Sequence, residues 1–170
     1  MSGRMNAKDK EKGRIITMNE KKSINHMSVT FTAKSANEGL ARAVVSAFAA
    51  QLDPTIDELS DLKTAVSEAV TNSIIHGYGG FSGSREACVI KMDCTLYENA
   101  VELCITDYGK GIENVDKAME PMYTSAPELE RSGMGFTIMQ SFMDSLEVVS
   151  EVGVGTKVTM YKVFGSISQG

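Results

Sequence analysis

The chain has only two histidines in 170 residues, and neither belongs to a cluster of candidate ligands. A zinc site draws on a set of nitrogen, sulfur and oxygen donors, so none is expected here. The three cysteines, Cys88, Cys94 and Cys104, are odd in number and lack C-x-x-C spacing. They fall at apolar positions or inside strand patterns, and are expected to be reduced core thiols of a cytoplasmic protein. No run of about 18 apolar residues occurs, which excludes a membrane-spanning helix on the sequence pattern. The N-terminus lacks the apolar stretch of a signal peptide. No G-x-x-x-x-G-K-[ST] segment is present, which excludes a P-loop. No H-R-D and D-F-G pair is present, which excludes the eukaryotic-type kinase signature. Prolines number three, and two of them, Pro121 and Pro127, fall in one stretch.

What is present is an ordinary globular composition, 42% hydrophobic and 23% charged, at a length that suits one domain. Charge is unevenly spread. Residues 1–27 carry seven Lys/Arg against three Asp/Glu, while the remainder carries ten against nineteen. The first segment is polar and without periodicity, and reads as a flexible basic extension. Residues 28–163 read as a single domain and 164–170 as a tail. An acidic domain is a poor partner for nucleic acid or for a membrane surface. It attracts basic partners, which include proteins that themselves bind DNA.

Ser28-Val-Thr-Phe-Thr-Ala33 alternates β-branched and aromatic residues and predicts a strand. Ser35 or Asn37 then caps a helix to about Gln51. Thr55 and Glu58 form a capping box at the head of a helix from Ile56 to Tyr78. Ile56, Leu59, Leu62, Val66, Ala69, Val70, Ser73 and Gly77 make its apolar stripe. Asp61, Glu68 and Asn72 point away from that stripe. Two alternating runs, Cys88 to Leu96 and Val101 to Thr106, predict a hairpin that turns at Glu98-Asn99. Asn114 to Ser132 is irregular, the character of a lid. A helix over Gly133 to Met143 and two strands, Leu146–Val149 and Thr156–Tyr161, close the domain. The order predicts an α/β protein of two layers, a mixed sheet with helices on one face.

Three segments carry chemistry. Glu68 and Asn72 stand at i and i+4, one above the other on a helix. Alone they suit a solvated face. With a hard cation they suit a division of labour: a neutral amide oxygen ligates magnesium, which takes octahedral oxygens at about 2.0–2.1 Å, and the carboxylate takes a proton from an attacking hydroxyl. Asp107, at a strand end, is followed by Gly109 and Gly111. That is a tight turn, or a carboxylate that accepts from the exocyclic amine of adenine while the glycines let backbone approach base and sugar. Gly133-Met134-Gly135 opens a helix whose free amides suit phosphate. Arg131 adds a charged donor, or else pairs with Glu128 or Glu130 on the surface.

In this order the segments resemble the motifs of the GHKL ATPases, the group of gyrase, heat-shock chaperones, histidine kinases and bacterial anti-sigma kinases. Glu68…Asn72…His76-Gly77 is similar to the N-box, Asp107-Tyr-Gly-Lys-Gly-Ile112 to the G1 box, and Gly133-Met-Gly135 to the G2 box. Gly155-Thr156 is similar to the late Gly-Thr whose hydroxyl helps hold adenine through water. Gln51-Leu-Asp-Pro-Thr-Ile-Asp-Glu-Leu59, Ser67-Glu-Ala-Val-Thr-Asn72 and Pro127 to Met139 resemble, further, the anti-sigma F factors of spore-forming bacteria, over about Met27 to Tyr161.

The resemblance implies the Bergerat fold of that group and ATP with Mg²⁺ as cofactors. It also implies two partners: sporulation sigma factor F, bound and inhibited, and an anti-anti-sigma protein, phosphorylated on serine and so inactivated. A homodimer is implied as well. Glu68 would be the catalytic base and Asn72 the metal ligand. Asp107, Gly109, Gly111 and Thr156 would hold the nucleoside; Arg131, Gly133, Met134 and Gly135 would hold phosphate. Arg42 and Thr71 would face partners. Ala126 stands where a basic lid residue is expected. Alternatives are a nucleotide-gated sigma-binding module without kinase activity, and a histidine-kinase catalytic domain. The latter needs an upstream helical hairpin with an accepting histidine, and His26 lies in a polar, non-periodic stretch.

Overall fold

The computed structural model describes residues 22–80, 82, 84–121 and 134–165. Five strands form one sheet: β1 Asn25–Thr32, β2 Val89–Leu96, β3 Ala100–Asp107, β4 Ser145–Glu151 and β5 Gly155–Val163. Their spatial order is β1-β2-β3-β5-β4. Every pairing among the described strands is antiparallel, where a mixed sheet is expected from the sequence. The connections explain the difference. Each strand returns beside a neighbour it meets head to tail, so no pair of adjacent strands needs a parallel crossover.

The helices are α1 Ala36–Ala49, α2 Ile56–Asn72, α3 Val115–Ala118 and α4 Gly135–Phe142. Strict alternation in β2 buries Ile90, Met92, Cys94 and Leu96 against them, and β3 does the same with Leu103 and Ile105. From α2, Leu62, Val66 and Val70 fill the space between layers and are fully buried. Ile56, expected on that stripe, is 88% exposed, because the helix begins before it reaches the core. All three cysteines are free; Cys88 and Cys94 are buried, and burial pushes the Cys94 thiol up to about 12. No helix among the described residues is long and apolar enough to cross a membrane.

Local signals decide the ends. Thr55 Oγ1 accepts from the Glu58 amide at 3.2 Å while the Glu58 carboxylate accepts from the Thr55 amide at 2.8 Å, the expected capping box. At α1 neither expected cap forms. Ser35 sits at the cap position without a side-chain bond, and Asn37 Nδ2 instead donates to the Thr32 carbonyl at 2.8 Å, tying α1 to β1. Beyond Asn72, α2 widens into a π-type turn over Ser73–Gly77, where an unbroken α-helix to Tyr78 is expected. Within the stretch expected to be irregular, α3 forms a single turn with Asn114 accepting from the Lys117 amide at 2.9 Å.

A buried lysine joins three elements. Lys162 of β5 donates to Asp61 of α2 at 3.1 Å and to the Phe142 carbonyl, the last of α4, at 2.8 Å. It fixes α4 lengthwise against α2, which matters for what lies at the other end of α4.

Candidate functional site

A cleft of about 600 Å³ opens between the second half of α2, the end of β3 and its following loop, α3, and the start of α4. Asn72, Asp107, Gly111, Gly135 and Thr156 all line it, so residues from the three sequence segments and from the late Gly-Thr converge on one space.

At one end stands Asn72, with Glu68 one turn earlier on α2 and outside the cleft lining; both are half-buried. The start of α4 comes up against them. A Cβ added at Gly135 would lie 3.1 Å from both amide atoms of Asn72 and 3.2 Å from Glu68 Oε2. The acid and the amide therefore share one neighbour, the first residue of α4. That helix has no side-chain cap at Met134, the first amides of any helix lack intrahelical acceptors, and its first residues, Gly135, Phe136 and Thr137, line the cleft. Met134 is half-buried and lies just outside the cleft lining. Arg131 and Gly133 lie outside the described residues, as do Ala126 and most of the expected lid.

At the other end is Asp107, 4% exposed. The register places it opposite Thr156 on β5 and Ile90 on β2. Burial pushes its carboxyl above the ordinary range, against the opposing pull of hydrogen bonds from the Gly109 amide, the Ser73 side chain and the Thr156 amide. The Gly109 bond is 3.0 Å. The π-type turn explains why α2 reaches this carboxylate. It swings Ser73 and Gly77 towards the sheet, and a Cβ on Gly77 would sit 2.9 Å from the Asp107 carboxyl carbon. Such turns recur at functional sites.

Gly109 and Gly111 are expected to leave room for base and sugar. The structure gives a different reason for both. A Cβ on Gly109 would lie 2.1 Å from the Gly77 carbonyl oxygen, and Gly111 has φ +75° with its Cβ position 2.2 Å from the Glu151 carbonyl oxygen. The loop is glycine-rich because it is clamped between the end of α2 and the β4–β5 turn. Gly109 itself does not line the cleft.

Three further residues, to which the sequence assigns no part in the site, fix this loop. Tyr78, 3% exposed, donates to the Val89 carbonyl at 2.5 Å and accepts from the Tyr108 amide at 2.9 Å. Ser150 donates to the Gly155 carbonyl at 2.9 Å and accepts from the Ile112 amide at 2.8 Å. With its proton so used, the Thr156 hydroxyl is the donor in their 2.8 Å contact. Ser73 is the third, through Asp107. Residue type alone gives no signal for any of them, since each acts through register or through the widened turn.

Arg42 and Thr71 stand apart from the cleft lining. Arg42 pairs with Glu38 one turn earlier on α1 and donates to Ser67 Oγ at 3.0 Å. Ser67 in turn donates to Glu38. Thr71 is half-buried on α2 beside Asn72.

The donor set suits a hard cation held lightly by protein. Asn72 brings an amide oxygen to the cleft wall, Glu68 lies one turn earlier beside Gly135, and among the described residues no group of three His, Cys, Asp or Glu gathers for a metal. An ion here would draw its remaining oxygens from phosphate and water, the habit of magnesium rather than of zinc or calcium.

Residues 31–162 match the histidine kinase-like ATPase domain family. An anti-sigma F factor of Clostridium beijerinckii is 58% identical over 146 residues, which cover 86% of this chain and 99% of that protein. An anti-sigma F factor of Clostridium perfringens (strain 13 / Type A) is 59% identical over 138 residues, 81% of this chain and 96% of that protein. Among solved structures, the RsbU and RsbW domains of a Mycobacterium tuberculosis protein superpose with TM-score 0.60 at 16% identity, covering 82% of this chain and 32% of that one. A chain of the SiaB–SiaC complex from Pseudomonas aeruginosa superposes with TM-score 0.56 at 11% identity, covering 91% and 99%. The structural likenesses speak to the fold alone.

Proposed function

Because the chain belongs to the anti-sigma F factors, built on the histidine kinase-like ATPase domain, we propose that it binds Mg-ATP in this cleft, holds and inhibits a sporulation sigma factor F, and phosphorylates a serine of an anti-anti-sigma antagonist. The observation that carries this reading is the convergence of Glu68 and Asn72 on the first residue of α4, beside a cleft that holds Asp107 at its far end.

Each residue then has a task. Asp107 accepts from the exocyclic amine of adenine, which favours adenine over guanine, since guanine presents a carbonyl there. Gly111 and Thr156 complete the nucleoside wall, and Gly109 holds the Asp107 carboxylate in place. The α4 amides from Gly135 onward, with Gly133, Met134 and Arg131, take the phosphates. Asn72 would hold magnesium through its amide oxygen, and the ion would supply neutralisation of phosphate charge there. Glu68 accepts the proton of the antagonist's serine hydroxyl as its oxygen bonds to the γ-phosphorus and ADP departs. Arg42 and Thr71 are partner contacts, outside the cleft and on the same helical layer. The chain works as a homodimer.

Incubation with labelled ATP and the antagonist tests the chemistry. Glu68→Gln should bind ATP as before and transfer phosphate roughly 10²–10⁴-fold more slowly, the usual scale for loss of a general base. Transfer at the parent rate would remove Glu68 from that role. Sigma binding that depends on ATP, with no phosphorylated antagonist from the parent, would leave only a nucleotide-gated binding module.

A further inference from the structure

The cleft has an electrostatic problem that the proposed ligand makes acute. Its described lining includes Asp107, Glu113 and Glu120, and the chain carries net charge −5. A nucleotide polyphosphate entering such a cleft is repelled unless local cations offset those carboxylates. Among the described residues three basic side chains line the space: His76, Lys110 and Lys117. His76 and Lys117 each have an interaction of their own within the fold. For Lys110, no carboxylate or carbonyl among the described residues holds the ammonium group.

The backbone of Lys110 is nonetheless fixed on both sides. Its amide donates to the Gly77 carbonyl at 2.9 Å, and its carbonyl accepts from the Gly153 amide at 2.8 Å. It stands between Gly109 and Gly111, two residues without side chains. A long cationic side chain on a rigid base, in the loop that follows Asp107, is thus kept at the cleft wall without a partner among the described residues. An ion pair within the fold would occupy this charge. Left exposed, it is available to an anion that enters.

On the reading that the cleft takes adenine nucleotide, we propose that Lys110 is a nucleotide-binding residue that acts on the phosphate charge. It offsets the acidic lining and helps set affinity for charged nucleotides over the bare nucleoside. The residue is exposed, so the attraction is screened by salt, with a range of about 8 Å at physiological ionic strength.

Calorimetric titration separates this role from a contact with the base. Lys110→Ala should weaken both ADP and Mg-ATP by roughly tenfold at low salt, the scale of one ionic contact near a protein surface. Adenosine should bind as it does to the parent. Raising the salt should narrow the gap, and Lys110→Arg should restore binding. Equal loss for adenosine, or no loss for the nucleotides, would overturn the assignment. Failure of the parent to bind any adenine nucleotide would instead overturn the reading on which it rests.

Discussion

Asp107 must be charged to serve an amine donor, yet it sits where charge is disfavoured. Burial raises its carboxyl above the ordinary aspartate value, so the folded chain holds this proton to a higher pH than the unfolded chain does. Between the ordinary value and the raised one, the folded chain keeps a proton that the unfolded chain has released. Stability of the empty protein therefore falls as pH rises through that window. Adenine binding runs the other way, because it needs the carboxylate. Below the raised value, ADP binding should release a proton and weaken by up to about tenfold per pH unit. Calorimetry in buffers of different ionisation enthalpy reads that proton directly; an unchanged proton count across the window would mean that Asp107 does not meet the ligand. At this scale the sequence is partly legible. Glu68, Asn72 and Asp107 announce themselves by type and spacing; Asn72 and Asp107 line one cleft, and Glu68 shares the neighbour Gly135 with Asn72. Gly109 and Gly111 are visible too, but what crowds them is the carbonyls of Gly77 and Glu151, which no spacing reveals. Ser73, Tyr78 and Ser150 are silent in sequence because their partners come from other strands and from a turn of unusual pitch.

Elements bring these residues together, and two devices do most of it. The widened turn Ser73–Gly77 carries the end of α2 towards Asp107. The Lys162 link holds the far end of α4 to α2 through Asp61 and Phe142. Lys162→Met keeps the apolar stem but leaves the Phe142 carbonyl and Asp61 without this donor. Urea unfolding should show a loss of about 1–3 kcal/mol, the scale for stranding buried polar groups. A change within a few tenths of a kcal/mol would show that the link is incidental. The strands were readable because alternation has a period of two and survives in short segments, as in Cys88 to Leu96. The widened turn was not, since Ser-Ile-Ile-His-Gly fits an α-helix by composition as well as a π-turn. The single turn α3 is too short to show any period. For Asp61 the sequence shows only a place off the apolar stripe, because its partner Lys162 lies 101 residues later in the chain.

For the whole molecule, charge and topology set what kind of partner it can take. On the proposed reading, an acidic domain with a cleft for an anion works only if donors are concentrated at the site, the part proposed for the first amides of α4 and for Lys110. The fold class followed from the order of elements, while strand order and the uniform antiparallel direction depended on long-range pairing that local pattern does not encode. The family confirms the architecture in which these pieces sit. The central claim is that an acid and an amide on adjacent turns of α2 face a metal-bound adenine nucleotide. Calorimetric titration of ATP into the full chain, with magnesium and with a chelator, for the parent and for Asn72→Ala, tests it most directly. One nucleotide should bind per chain, with magnesium required, and Asn72→Ala should weaken binding by at least roughly tenfold, about 1.4 kcal/mol. Equal affinity in the chelator, or an Asn72→Ala isotherm matching the parent, would contradict the account.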